Sequence, residues 1–206
     1  MNLLKKIINL KSKNFDFDAY LKKINPEDIV IDCGANVGTI TTQLAATGAK
    51  VYSFEPNPYA FAELKRNTEL LNNVTLFNKG VWDRSTKIKL FLHKNAEDNP
   101  VYWSQGSSIL VEKPNVNQEN FVDIEVVDLI KFIQDLNHKV KFLKIDVEGA
   151  EYEILDKLIE TGAYKLVDLI VAETHAHKIQ NLIDKDKSIR AKIARNKIKN
   201  ISLEWI

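Results

Sequence analysis

The sequence predicts an α/β protein built on a doubly wound, mostly parallel sheet, and three observations predict it. From Asp28 onward, short β-branched runs alternate with helical periods, the pattern of successive βαβ units. One run, Ile29-Val30-Ile31, closes on Asp32-Cys33-Gly34-Ala35-Asn36-Val37-Gly38 and opens a helix. A second run, Val140 to Ile145, ends in Asp146 and Glu148 and turns at Gly149 into another helical pattern. Such strand ends form the rim where open α/β sheets bind ligands.

The elements follow in order. Residues 1–25 mix Lys with Leu, Ile and Phe and predict one or two lead-in helices. The helix after Gly38 runs to Gly48, a residue suited to a helix C-terminus. Val51 to Phe54 is the second strand, ending at Glu55; Asn57 caps the next helix and Pro58 suits its first turn. Val74 to Phe77 is the third strand, and Lys87 to His93 an added one after a turn at Asp83-Arg84. Residues 95–120 have no clear period and read as a long loop, a candidate substrate lid. Val122 to Val127 alternates as a strand, with a short helix from Asp128. After the strand ending at Asp146 come a helix to Gly162 and a strand from Leu166 to Glu173. Residues 178–199 form an amphipathic helix with Ile179, Leu182, Ile183, Ile189 and Ile193 on one face, and Ile201 to Trp205 is the last strand.

Composition narrows the function classes. The 206 residues read as one domain spanning 1–206, with 45% hydrophobic and 28% charged residues and a net charge of +1. A single cysteine, Cys33, excludes an internal disulfide framework and suits a reducing compartment. No apolar run approaches the roughly 18 to 20 residues of a membrane span, and Met1 to Leu10 lacks the features of a signal peptide. A cytoplasmic enzyme is the expectation.

Gly34, Asn36 and Gly38 let the backbone turn tightly and approach a ligand. Glu55 lies about 20 residues further on, where a carboxylate binds the vicinal hydroxyls of a ribose. The dinucleotide fingerprint needs Gly at 36 and Gly or Ala at 39, and the chain has Asn36 and Thr39. No Tyr is followed by Lys four residues later, which disfavours a NAD-linked oxidoreductase of the short-chain type. Asp32-x-Gly34-x-Asn36-x-Gly38 instead resembles the first motif of class I S-adenosylmethionine (SAM) methyltransferases.

With Phe54-Glu55-Pro56-Asn57-Pro58, Lys144-Ile145-Asp146-Val147-Glu148-Gly149-Ala150-Glu151, Ala172-Glu173-Thr174-His175 and Leu203-Glu204-Trp205 also in order, the chain resembles the FkbM family of SAM-dependent methyltransferases. The resemblance implies a seven-stranded Rossmann-like fold, here with a shortened C-terminal hairpin, and methylation of a hydroxyl, often on a sugar or natural product. It assigns SAM contacts to Asp32, Gly34, Asn36, Gly38 and Glu55, and adenine contacts to Asn78 and Val81. The expected partner is a small molecule or glycan with a free hydroxyl, and a homodimer is compatible with the sequence. The absence of an [Asp/Asn]-Pro-Pro-Tyr motif after the fourth strand counts against amino-group methylation of DNA bases.

At the rim, Asp146 and Glu148 are expected to frame the acceptor, and His175 or Asp146 to remove its proton; Glu173 and, more remotely, His93 are further candidates. Two plainer readings stand beside this. Glu148 and Glu151 suit the N-terminus of the following helix through its dipole. Asp146, Glu148, Glu173 and His175 alternatively offer ligands for a divalent cation, as in metal-dependent catechol-type enzymes; two-residue spacing at a strand end is common without metal, so no metal is expected. Tyr102, Trp103, Gly106, Ser107 and Ser108 either cover the acceptor or pack on the sheet edge. The basic helix around Lys185 to Lys199 reads as a solvated face. A non-catalytic SAM- or nucleotide-binding protein is the alternative of another class, marked by rim carboxylates buried in structural salt bridges with no open pocket beside the cofactor.

Overall fold

The structure is a computed structural model that describes residues 15–205; most of the expected 1–25 lead-in lies outside them. In chain order the elements are α1 (Phe17–Leu21), β1 (Ile29–Cys33), α2 (Thr39–Ala45), β2 (Lys50–Phe54), α3 (Pro58–Asn67), β3 (Val74–Phe77), β4 (Gly80–Trp82), β5 (Thr86–His93), β6 (Val116–Asp128), α4 (Leu129–Asp135), β7 (Val140–Ile145), α5 (Glu151–Thr161), β8 (Val167–Ala172), α6 (Ile183–Arg195) and β9 (Ile201–Ser202).

Strands β3-β2-β1-β7-β8-β9 form a six-stranded sheet in that order, and every neighbouring pair is parallel. Parallel strands covered on both faces read as nearly continuous apolar runs; Val30, Ile31, Phe142, Leu143, Ile145, Ile170 and Val171 are accordingly buried. The strand order reverses between β1 and β7, so the loops after these two strands face each other across the switch point. The doubly wound α/β expectation therefore holds. The seventh, antiparallel strand does not enter this sheet among the described residues; β9 pairs parallel to β8 through Ile201 and Ser202 only.

Local signals set the helix ends. The Asn57 side chain accepts hydrogen bonds from the backbone N–H of Tyr59 and Ala60, with Pro58 opening α3. α5 stops at Gly162, whose φ of 74° is the left-handed conformation of a helix C-terminus. The basic side of α6 is not merely solvated: Lys185 pairs with Glu153, and Lys192 with Asp156 and Glu160, fastening α6 along α5. Of the apolar face expected there, Ile179, Leu182 and Ile189 are buried, while Ile183 is exposed. On the far side, α1 sets Phe17 edge-on to Trp205, with ring centroids 5.1 Å apart, against Phe142.

A second sheet, ordered β4-β6-β5, stands over the carboxyl ends of the main one. β6 is antiparallel to β5 and parallel to β4. It begins at Val116, so the expected 95–120 loop is shorter than predicted. Val116 to Glu119 carries no apolar alternation; pairing with β5, with Val116 opposite His93, orders it instead. The remaining loop contains a 3₁₀ turn, Tyr102–Gly106. Phe91 and Ser108 exchange two backbone hydrogen bonds of 2.8 and 3.0 Å that fasten the loop to β5.

Candidate active site

The loops after β1, β2 and β7 and the inner face of the second sheet enclose a cleft continuous with solvent, with about 730 Å³ of empty space including its open mouth. Gly34, Asn36 and Glu55 line one wall, and Asp146, Val147, Glu148 and Ala150 the opposite one. Val81, Ile88, Leu90, Ile124 and Val126 make an apolar roof, and Ser104, Gln105 and Ser107 reach in from the loop.

The first wall is organised by backbone. Gly34 and Gly38 have φ values of 79° and 93°, and Asn36 a φ of 49°, a left-handed conformation that Asn tolerates better than most residues. A Cβ on Gly34 would overlap the carbonyl oxygen of Asp146, so only glycine lets the two loops meet. Glu55 accepts hydrogen bonds from the backbone N–H of Asn36 and of Asn57, both at 2.8 Å. Burial pushes its carboxyl up to about 7, against the downward pull of those two donors. The side-chain amides of Asn36 and Asn57 donate to Ser104 Oγ and Ser107 Oγ, fixing the loop over this wall.

Three residues expected to touch a cofactor lie behind the wall. Asp32 is fully buried and accepts from Thr41 Oγ1 at 2.7 Å. Gly38 caps α2 against Leu64. Asn78 donates to the backbone oxygens of Glu55 and Pro56, bracing the turn after β2. Val81 does line the cleft.

The opposite wall is organised by charge. Register places Lys144 of β7 beside Asp32 of β1. The buried Lys144 Nζ donates to Gly34 O at 2.7 Å and lies 3.4 Å from Asp32 and 3.3 Å from Asp146. Burial alone would depress this ammonium, but Asp146 and Asp32 raise it above the usual lysine range. Asp146 is shifted upward by burial, with Lys144 opposing. Glu148 has a φ of 54°, an uncommon conformation for a residue of its size that persists where surroundings over-determine it. The loop supplies them: Ser108 Oγ donates to Glu148 O at 2.5 Å, and the buried Lys113 Nζ to Glu148 Oε2 at 2.7 Å.

His175 does not face the cleft. It is fully buried behind the carboxylates, with Nε2 at 3.2 Å from Glu148 Oε2, 3.4 Å from Glu173 Oε1 and 3.9 Å from Asp146 Oδ1. Its backbone N–H and Nδ1 both meet Glu151 Oε1 at 3.1 Å, while Glu151 Oε2 accepts from Gly149 N. Glu151 is thus a buried brace rather than only a dipole partner. Burial disfavours the imidazolium, but Glu151 and Glu173 outweigh it and push His175 up to about 10. Burial likewise opposes the charge on Glu173, yet His175 and Lys178 pull its carboxyl down to about 2. His93 stacks on Trp103 with centroids 4.3 Å apart, away from the cleft, and Tyr102 points to solvent.

Reading by motif missed Lys113, Glu151 as a brace, and the apolar roof. Lys144 carried a signal, since an ammonium inside a buried strand demands carboxylate partners. Lys113 carried none, lying in an aperiodic loop.

A glycine-lined turn, the buried Glu55 carboxylate and an apolar roof meet at the switch point of the sheet, where open α/β folds bind ligands. The methyltransferase FkbM domain matches residues 32–196, and the chain belongs to that family. It is 25% identical to methyltransferase 1 of Beauveria bassiana, over 72% of this chain and 65% of that protein. It is 27% identical to the hexuronic acid methyltransferase AglP of Haloferax volcanii, over 76% and 59%, and 24% identical to the 2-O-methyltransferase NoeI of Sinorhizobium fredii, over 63% and 57%. The matches thus span 57% to 65% of these relatives' own lengths. Among solved structures, an rRNA methylase from Streptococcus thermophilus aligns over 89% of this chain and 79% of that one, at 12% identity and a TM-score of 0.49. No helix among the described residues is long and apolar enough to cross a membrane.

Proposed function

We propose that this chain is a SAM-dependent O-methyltransferase whose acceptor is a hydroxyl on a sugar, glycan or natural-product-like molecule. One observation carries the reading: the cofactor-type wall (Gly34, Asn36, Glu55) and the rim carboxylates (Asp146, Glu148) line the same cleft. A relative named as a 2-O-methyltransferase supports a hydroxyl acceptor, and one named for hexuronic acid supports a sugar.

The residues present fit the cofactor. Glu55 has acceptor capacity beyond its two backbone donors, since a carboxylate offers about four lone-pair sites, and it lines the cleft where ribose hydroxyls would donate. Val81 and the roof of Ile88, Leu90, Ile124 and Val126 offer an apolar surface for a base. When bound, SAM supplies an electrophilic methyl group on a sulfonium centre. Asp146 and Glu148 orient the acceptor hydroxyl, and holding two reactants in line contributes on the order of 7 to 11 kcal/mol. Asp146, exposed to the cleft, receives the hydroxyl proton; His175, behind it, positions the carboxylates. The segment of residues 95–115 covers this chamber through Ser104 and Ser107.

Asp146→Asn should lower turnover by about 10² to 10⁴-fold, the usual contribution of a positioned base, with SAM affinity by calorimetry nearly unchanged. Wild-type turnover in that variant, or tighter binding of NAD than of SAM by the native chain, would overturn the proposal.

A further inference from the structure

Behind the cleft wall, the hydrogen-bond pattern leaves one buried group aimed at a ring of carboxylates. His175 Nε2 is buried and has no hydrogen-bond partner among the described residues. Yet it lies between 3.2 and 3.9 Å from oxygens of Glu148, Glu173 and Asp146, out of line for bonding to any of them. An orphaned buried imidazole nitrogen calls for an explanation.

We infer that Asp146, Glu148 and His175 form a binding site for one divalent cation of the Mn²⁺ or Zn²⁺ type, facing the methyl-acceptor side of the cleft. Each residue offers a ligand atom, and these atoms lie within 4.8 Å of one another. Ligands about 2.1 Å from an ion sit roughly 3 Å apart when adjacent and about 4 Å apart when opposite, so small side-chain adjustments close the site. His175 is prepared as a ligand by Glu151, which holds Nδ1 at 3.1 Å and leaves Nε2 to the ion, the carboxylate–histidine arrangement that orients metal-bound imidazoles. The mixed imidazole and carboxylate set favours such ions over Ca²⁺, which takes oxygen ligands only.

Charge points the same way. The linked contacts join five carboxylates (Asp32, Asp146, Glu148, Glu151, Glu173) to three ammonium groups (Lys113, Lys144, Lys178). An ion binds the neutral imidazole, so taking up the ion displaces any proton on His175; two negative charges then remain, and one divalent cation balances them. Asp146 and Glu148 line the cleft, so the ion would meet an acceptor oxygen there and polarise it as a Lewis acid. That consequence rests on the methyltransferase reading; the binding itself does not. The sequence offers Asp146, Glu148, Glu173 and His175 as an alternative cation set, and the orphaned Nε2 that favours this reading is visible only in the fold.

The test uses the untagged full chain, dialysed against a chelator and titrated with MnCl₂ and, separately, ZnCl₂ by calorimetry, with pulsed EPR on the Mn²⁺ form. One ion per chain, ¹⁴N coupling to Mn²⁺ that His175→Gln removes, and at least tenfold weaker binding in Asp146→Asn and Glu148→Gln are expected. The exposed control Asp184→Asn should bind as the native chain does. Absence of saturable binding by the native chain, absence of ¹⁴N coupling, or equal affinity in both rim variants would overturn the inference. Titration of the same samples with SAM separates the two readings: an ion without SAM overturns only the methyltransferase proposal, and SAM without an ion only this one.

Discussion

On the β1–β2 side of the cleft, backbone does the holding: glycine and Asn36 turns, two N–H groups on Glu55, and side-chain amides pinning the loop. On the β7–β8 side, charge does it. Lys144, Lys113 and Lys178 are set against Asp146, Glu148 and Glu173, around a histidine with an unbonded nitrogen. The first wall is close to fully satisfied by hydrogen bonds, and it is built from two adjacent strand–turn segments. The second gathers groups from residues 113, 144 to 151 and 173 to 178. The difference teaches that a wall built of backbone turns needs little from afar, whereas a charged rim is held by interactions that are costly if any partner is lost.

The two walls meet backbone to backbone at Gly34, and disrupting that contact has the largest expected effect. Gly34→Ala puts a Cβ into the Asp146 carbonyl at a φ of 79°, and it should cost more than about 4 kcal/mol in chemical denaturation. A loss under about 1 kcal/mol would mean that the walls are not locked backbone to backbone. Next, Lys144→Met leaves Asp32 and Asp146 without their ammonium. A loss of about 3 to 5 kcal/mol is expected, and a melting temperature equal to that of the native chain would refute the charge-held rim.

A smaller effect sharpens the contrast. Glu55→Gln removes a charged acceptor and should weaken SAM binding by about 1.5 to 3 kcal/mol, with turnover at saturating SAM largely retained. Glu55 also sets a pH dependence. Its carboxyl is raised to about 7 in the folded chain, so its contribution to stability is present below the usual glutamate range and lost as pH rises through about 7. Ribose hydroxyls donate to the ionised form, so SAM should bind about tenfold more weakly at pH 6 than at pH 8. The same titration on Glu55→Gln should be flat, and an equal slope in the variant would remove Glu55 from the cofactor site.

Much of the first wall was legible because its signals are local. Gly34, Asn36, Gly38 and Glu55 occupy one strand–turn–helix–strand unit, and the period-2 and helical patterns around them place that unit without distant information. Even so, the sequence assigns Asp32 and Asn78 to ligand contact, whereas the structure sets both behind the cleft wall, bonded to Thr41 and to the backbone after β2; sequence shows that a polar residue sits at a strand end and not which way it points. The same limit put His175 beside the acceptor rather than behind the carboxylates.

Local order was therefore written in the chain: where each strand ends, where glycine must stand, and that acidic residues close β2 and β7. These follow from backbone sterics and hydrophobic periodicity, which act over a few residues. The rim was decided by the tertiary structure. Packing brought Lys113 onto Glu148, Glu151 onto His175 and the second sheet over the cleft, since the strength and sign of a buried charge depend on every group folded around it and on the water they exclude.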